Sequence, residues 1–470
     1  MKAAAICIRR TQANHQGERG VTMVLVAVAM VAIIAMAALS IDVVTLYLAN
    51  AEAQRSADAG ALAAARVLSM TGMTGDPNNS SSQWINICGG INSPASQVAT
   101  TVATQNTVSG ISPSQVTVTY AAGGTSGSDC TGLGAPFGVN PTVTVKVQRT
   151  ALPTFFSRIW TRATSNVSAS ATAEAFNPSN SGNVGNTAGS GTVIPVHTRC
   201  VKPWIVPNLD PGNPASCSGT CQPFVGNADG SIQNPGVRFG GAGTGVIGER
   251  FTIVPDCRLS GPCATPGNTV PPPSANVAGA GALPNLQFVP GQVSSSSVAV
   301  PSCGDESDYT QAIAGCDQNT VYQCGVPQGN TVDLSQNNIF GDTATGGQCL
   351  INQVAGSGQD ALDDTVFPYR IHAGANSPLK KAGVAQGTFI TSSNSIASIP
   401  IFDQNGTFNT SGTTDVTIVG FLQVFINSVD DTGGKIDVTV LNVAGCGNAA
   451  SPNFVSGTSP VPVRLVQKYP

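Results

Sequence analysis

From Val21 to Ile41 the chain runs for 21 residues without one ionisable side chain, and nothing else in its 470 residues resembles that run. Coiled as an α-helix at about 1.5 Å per residue, it is about 30 Å long, the thickness of a bilayer's hydrocarbon core. Secretory signal cores are shorter, about 7–15 residues, so residues 21–41 are read as a retained transmembrane anchor. A cleaved signal stands as the alternative, with Ala35-Met36-Ala37 as its small-residue cleavage site. Arg9, Arg10 and Arg19 flank the run on its N-terminal side. By the bias of positive charge toward the cytoplasm, residues 1–20 stay inside the inner membrane and the remainder lies outside, in the periplasm or at the cell surface.

Beyond the run the helical character persists. Asp42 falls where the helix leaves the hydrocarbon and is expected to be solvated there, because a carboxylate at mid-membrane is costly. Tyr47 suits the interfacial aromatic belt. No strong helix breaker intervenes before Thr71-Gly72, so a helical extension is expected over 42–70, ending near Leu68. Along it Ala49, Ala53, Ala57, Ala61 and Ala65 recur every fourth residue and form a ridge of small side chains that another helix can approach closely. Alanine is also the best helix former, which accounts for the same residues without any packing partner. Arg55 and Asp58 lie three residues apart on one surface.

The combination of Arg19-Gly20, the apolar run, Ile41-Asp42, Tyr47, Gln54 and "SADAGALAAA" from Ser56 to Ala65, with Asp58 inside it, resembles the N-terminal domain of TadE/TadG-like proteins of the Tad (Flp) pilus-assembly system. The resemblance implies a single-pass anchor ahead of an external domain of variable sequence, with pilus or secretion-system proteins as partners. Val44 stands where that family often has glycine, and Gly60 replaces an alanine. Cleavage after Gly20, in the manner of type IV prepilins, calls for a glutamate at the fifth position beyond it. Leu25 stands there, and Glu18 is on the wrong side.

The external part is sparsely charged, at 10% of the whole chain, and rich in glycine and proline, with 53 and 31 residues. Its 41% hydrophobic content is enough for a core, so long polar loops and many short strands are expected. The formal charge of −4 includes a basic N-terminus, leaving the exported part acidic and without a basic patch, which excludes nucleic acid as a partner. "QVTVTY" (Gln115–Tyr120), "TVTVKVQ" (Thr142–Gln148) and "NVSASATAEAF" (Asn166–Phe176) alternate as half-buried strands do. "LPTFFSRIW" (Leu152–Trp160) is read as a short helix between the last two. Residues 73–176 are thus expected to form a small, pilin-like α+β domain, followed by a Gly/Asn/Ser-rich linker over 177–191.

Residues 192–470 hold ten of the twelve cysteines that follow the apolar run: Cys88, Cys130, Cys200, Cys217, Cys221, Cys257, Cys263, Cys303, Cys316, Cys324, Cys349 and Cys446. An even set outside a membrane points to disulfides, with pairing left open. Zinc knuckles need Cys-x2-Cys pairs, and the nearest spacings are Cys217-x3-Cys221 and Cys257-x5-Cys263. "TTDVTIVGFLQVFINSV" (Thr413–Val429) and "KIDVTVLNVAGCG" (Lys435–Gly447) read as strong strands joined by a hairpin at Asp431–Gly434, and Trp204 as a core residue. The fold class is α+β: a long N-terminal transmembrane helix extending outward, a pilin-like region, then a disulfide-stapled, mainly β domain.

No catalytic constellation assembles. His197 and His372 are the only external histidines, and no nucleophile elbow, phosphate loop or His-Glu-x-x-His helix occurs. Gly243-Thr-Gly-Val-Ile-Gly248 spells the dinucleotide fingerprint without a strand before it or a long helix after it. Asp333-Leu-Ser335-Gln-Asn337 falls one serine short of an Asp-x-Ser-x-Ser metal motif. Asp229-Gly230, Asp305-Glu306 and Asp430-Asp431 read as solvated turns. The expectation is a non-enzymatic assembly component with lipid and pilus proteins as partners and no cofactor. The alternatives are an adhesin for glycans or host protein and, third, an envelope hydrolase using His197 or His372.

Overall fold

The computed structural model describes residues 16–71, 74, 84–122, 124–153, 164–178, 196–213, 222–228, 230–238, 240–241, 245–256, 275–276, 283–294, 303, 307–336, 338–366, 369–390, 392–403, 412–431, 433–446, 455–457 and 459–466. Helix α1 (Gln16–Ser69) runs for 54 residues without interruption, about 80 Å. It stops where side chains replace the helical ladder. Ser69 Oγ donates to Arg66 O at 2.8 Å and Thr71 Oγ1 to Leu68 O at 2.8 Å.

The last five turns of α1 are sealed into a small α+β unit. Helix α2 (Pro94–Gln105) starts on proline, whose missing N–H is no loss in a first turn. It runs back along α1: Ser56 Oγ donates to Ala103 O at 2.8 Å, while Ser109 N, beyond its end, donates to Glu52 Oε2 at 2.6 Å. Strands β1 (Gln115–Ala122), β2 (Thr125–Gly127), β3 (Thr142–Leu152) and β4 (Ser165–Ala175) form an antiparallel sheet in the order β4-β3-β1-β2. The alternation in sequence becomes two faces. Val143, Val145 and Val147 pair with Ala173, Ala171 and Ala169 on one side and with Tyr120, Val118 and Val116 on the other, making the rows that face the helices. On the opposite face Thr144 and Thr172 share a hydrogen bond of 2.7 Å. The segment read as a helix at Leu152–Trp160 begins as the end of β3, and residues 154–163 lie outside the described residues.

A second sheet closes on itself. Strand β5 (Trp204–Pro207) is parallel to β8 (Ile396–Phe402), which pairs antiparallel with β9 (Ile418–Val429), and β9 with β10 (Ile436–Gly445). Strand β10 pairs antiparallel with β6 (Arg250–Pro255), β6 lies parallel to β7 (Asn285–Pro290), and β7 returns to β5. The result is a six-stranded barrel with Trp204, Phe288, Leu422, Val424 and Val440 in its core. Strands β9 and β10 form the hairpin expected from sequence, with Val429 facing Ile436. Helices α3 (Asp308–Ala314) and α4 (Ile339–Leu350) pack together beside it.

The two units are interlocked. The C-terminal strand Val463–Val466 leaves the barrel side and pairs with β4, becoming the fifth strand of the first sheet. Asn177, expected at the head of a polar linker, is instead buried at the joint, donating to Thr74 O at 2.9 Å and to Val443 O at 3.3 Å. Asn442 of β10 donates to Ser69 O, tying the end of α1 to the barrel. Residues 179–195 of the linker lie outside the described residues.

Four disulfides staple the described part: Cys88–Cys130, Cys200–Cys316, Cys303–Cys349 and Cys324–Cys446. Their Cα–Cα separations of 5.6, 4.4, 5.7 and 5.9 Å fall in the range a disulfide spans. Cys217, Cys221, Cys257 and Cys263 lie outside the described residues.

Candidate functional site

The feature that sets this molecule apart is the change in character along α1. From Val21 to Leu48 its large apolar side chains are bare except for the partly buried Leu46, ending with Tyr47 at 74% and Leu48 at 56% exposed. The helix is long and apolar enough to cross a membrane. Apolar surface on this scale, exposed around the helix, is what lipid covers and water does not. Gly20 is exposed in the same stretch.

From Ala49 onward the same helix is sealed on one side. Ala49, Ala53, Ala57, Ala61 and Ala65 are between 0 and 2% exposed. The ridge read as a possible docking track for another helix is occupied by the chain's own sheet and α2. Alanine on α1 meets alanine on β4, so the helix lies close to the sheet. Gly60 shows how close: a Cβ there would sit 3.1 Å from Ala99 O, 3.2 Å from Ala103 Cβ and 3.2 Å from Val145 Cγ1. Gln54 Nε2 donates to Asp58 Oδ1 at 2.8 Å and to Ser170 O at 3.3 Å, linking the helix to β4.

Asp42 departs from expectation. It is 3% exposed rather than solvated, and Ala38 beside it on the same face is 6% exposed. Ala38, Asp42, Leu46, Ala49 and Ala53 follow one another at helical spacing, so the covered stripe of α1 begins well before the ridge. Burial here is a matter of which face the residue occupies, which a linear hydropathy profile does not resolve.

The sites weighed for chemistry do not assemble. His372 Nδ1 lies 2.9 Å from Gly387 O, and its Nε2 is 4.0 Å from Asp363 Oδ2. The hydroxyl nearby, Thr365 Oγ1, bonds to Asp363 and not to the imidazole, so no nucleophile is paired with a base. His197 is half-buried, and burial holds its imidazole below the usual value. The glycine fingerprint fails in structure: Gly248 is followed by strand β6 and not by a helix, and Gly243 lies outside the described residues. Ser335 N and Oγ both bond to Asp333 Oδ1, which makes a local turn of the near-motif, and Asn337 is outside the described residues. Asp431 accepts from Gln348 Nε2 at 2.6 Å, while Asp229, Asp305 and Glu306 are outside the described residues. Among the described residues no group of three or more His, Cys, Asp or Glu side chains is placed to hold a metal ion.

Lys202 and the Glu249–Asp210 pair are among the buried charged residues that sequence reading missed. Lys202 is enclosed, its Nζ donating to Ile313 O at 2.6 Å and to Gly315 O at 2.5 Å, where it caps the C-terminal end of α3. Burial lowers its ammonium to about 7, while the two carbonyls favour the charged form. Glu249 sits against Asp210 with Arg238 Nη2 3.5 Å from its Oε2, longer than a strong ion pair. Burial, then the neighbouring Asp210 carboxylate, pushes Glu249 up to about 9, and burial raises Asp210 as well. Nothing in the local sequence marks either site, since a lone Lys or Glu in a loop reads as surface.

No curated protein and no solved structure matches the chain. The family comparison falls on the helix whose bare and sealed halves are described above: residues 20–67 match the Tad family model, described as Flp pilus-assembly TadE/G-like, and this N-terminal segment is similar to that family's domain.

Proposed function

We propose that the chain is a structural component of a bacterial Tad (Flp) pilus or related secretion system, acting by placement and docking rather than catalysis. Residues Val21–Ile41 hold it in the cytoplasmic membrane with the N-terminus inside, and the α+β unit and barrel stand outside. Arg19 and Gly20 begin the anchor, and Tyr47 and Asp42 mark its emergence. Gln54, Asp58 and the alanine ridge fix the helix to its own head, so pilus or secretion-system proteins meet the outer surface of that head. The single observation that carries this reading is the passage along α1 from bare large apolar side chains before Ala49 to the sealed alanine ridge beyond it, lying within the matched residues 20–67.

Membrane fractionation and cross-linking in a host carrying the pilus components test it. The expected outcome is an intact chain that resists alkaline extraction and cross-links to pilus or secretion proteins. Recovery as a free extracellular form overturns the anchored reading and favours a secreted adhesin, and a mature N-terminus at Val21 or Ala38 overturns retention of the uncleaved chain.

A further inference from the structure

Helix α2 turns Ala95, Ala99 and Ala103 inward and leaves Gln97, Thr101 and Gln105 exposed on its outer side. The stretch around it carries no charge: from Pro77 to Ser128 there is no Asp, Glu, Lys, Arg or His, although 10% of the whole chain is charged. It is also where apolar side chains collect at the surface. Among the described residues, half of the large apolar side chains exposed beyond Leu48 belong to it, namely Ile85, Ile91, Val98 and Ile111 at 57, 77, 37 and 57%. Ile91 and Ile111 flank the two ends of α2.

The polar groups on this helix are already satisfied. Thr100 Oγ1 donates to Ser96 O, Thr104 Oγ1 to Thr100 O and Asn106 Nδ2 to Val102 O, each at 2.8 Å. Donors bonded to their own helix keep their partners when water leaves, so covering this side does not strand them. The charges of the neighbouring helix are off to the side. Glu52 of α1 accepts from Ser109 N at 2.6 Å, and Arg55 and Arg66 are exposed, off the side of α1 where Ser56 and Gly60 meet α2.

A second copy of this chain is the partner that fits. The exported part is acidic, so two copies repel over most of their surface and approach most easily where neither is charged. Anchors in one membrane share one orientation, so a two-fold axis between copies runs along the membrane normal. An axis in the membrane plane would turn one anchor over. The axis along the normal sets the same side of each copy against itself. Glu52, Ser56 and Gly60 of α1 meet Ser109, Ala103 and Ala99 in reverse order, so α2 lies antiparallel to the anchor helix and pairs lengthwise with its mate.

We propose that the outer side of α2, with Ile91 and Ile111 at its ends, is the surface on which two copies of this chain pair about an axis along the membrane normal. The inference rests on the anchored reading above and adds a second copy to the partners of the head.

The purified full chain in liposomes at low protein-to-lipid ratio tests this. A benzophenone amino acid is placed at Gln97 and, as a control, at Val354, an exposed residue of the second unit. On illumination the Gln97 probe is expected to give severalfold more covalent dimer than the Val354 probe, and equal yields overturn the proposal. Thr101→Asp sets like charges across the axis and is expected to cut the Gln97 dimer about tenfold, whereas Thr101→Ser leaves it unchanged. A Gln97 dimer indifferent to Thr101→Asp comes from the anchors alone and also overturns the proposal. The Cys88–Cys130 bridge, read by mass after alkylation, reports that each variant head is folded. Should Thr101→Asp lose it, Gln105→Asp is read in its place. Alkaline extraction of the same liposomes separates the two readings. Chains released by alkali overturn the anchor and this proposal with it, while chains that stay but give no Gln97 dimer overturn this proposal alone.

Discussion

Replacing Gly60 by leucine tests the close packing of α1 most directly. The first added carbon already meets Ala99 O at 3.1 Å, Ala103 Cβ at 3.2 Å and Val145 Cγ1 at 3.2 Å. One of these atoms is backbone in α2 and another belongs to a central strand, so relief requires moving a helix away from a sheet. Gly60→Ala gains about 1 kcal/mol of helix propensity and loses about 1–3 kcal/mol to overpacking, a net loss of about 0–2 kcal/mol. Gly60→Leu inserts three further carbons into the same gap, and the loss is expected to reach about 3 kcal/mol. The readout is hydrogen exchange of peptides from α2 and β3 in the full chain in micelles. With tenfold for every 1.4 kcal/mol, their exchange should quicken by about 100-fold. Arg55→Leu, on the exposed face of α1, serves as the control and should stay within about 0.5 kcal/mol of the parent. If Gly60→Leu exchanges like that control, α1 is not sealed against α2 and β3, and the account of the ridge fails with it.

Three further outcomes follow from the same structure. Replacing both Cys88 and Cys130 by serine opens a loop with sequence separation 42; chain entropy sets the loss at about 4 kcal/mol, read as a lower urea midpoint for the first unit. Glu249, pushed up to about 9, holds its proton in the folded state after the unfolded side chain would release it near about 4.3, so its contribution to stability is lost as pH rises between those values. Glu249→Gln should flatten that decline in urea midpoints compared at about pH 5 and about pH 8.5. Lys202, lowered to about 7, works in the opposite sense, favouring the fold as pH rises toward the unfolded value of about 10.4. Lys202→Met removes two donors to the end of α3 and should cost about 1–3 kcal/mol by the same assay at neutral pH.

The parts of this fold that were legible in the sequence are those whose periodicity is local. α1 announces itself through its uncharged run and the absence of a breaker before Thr71-Gly72, and β1, β3 and β4 through strict alternation. Helix α2 escaped because its buried face is Ala95, Ser96, Ala99 and Ala103, residues too small and polar to register as an apolar stripe. The closure of the barrel was equally hidden. It depends on parallel pairings between β5 and β8 and between β6 and β7, short segments separated by long loops, for which no turn residue or repeat gives a signal. The anchor could be read from composition, whereas the covering of the alanine ridge and of Asp42 depends on what the rest of the chain brings to that face.

The pairing of Val463–Val466 with β4 nests one unit inside the other. The stretch of chain that builds the barrel is an insertion between the fourth and fifth strands of the sheet held by the anchor. Synthesis from the N-terminus delivers α1 and β1 to β4 early, but the edge of β4 at Thr172–Ala175 waits for residues that follow the barrel in sequence. Completion of the sheet thus reports that the barrel segment between those strands has already been made. Tension applied at the barrel is also divided between the joint at Asn177 and the terminal strand, a two-stranded suspension in place of a single tether.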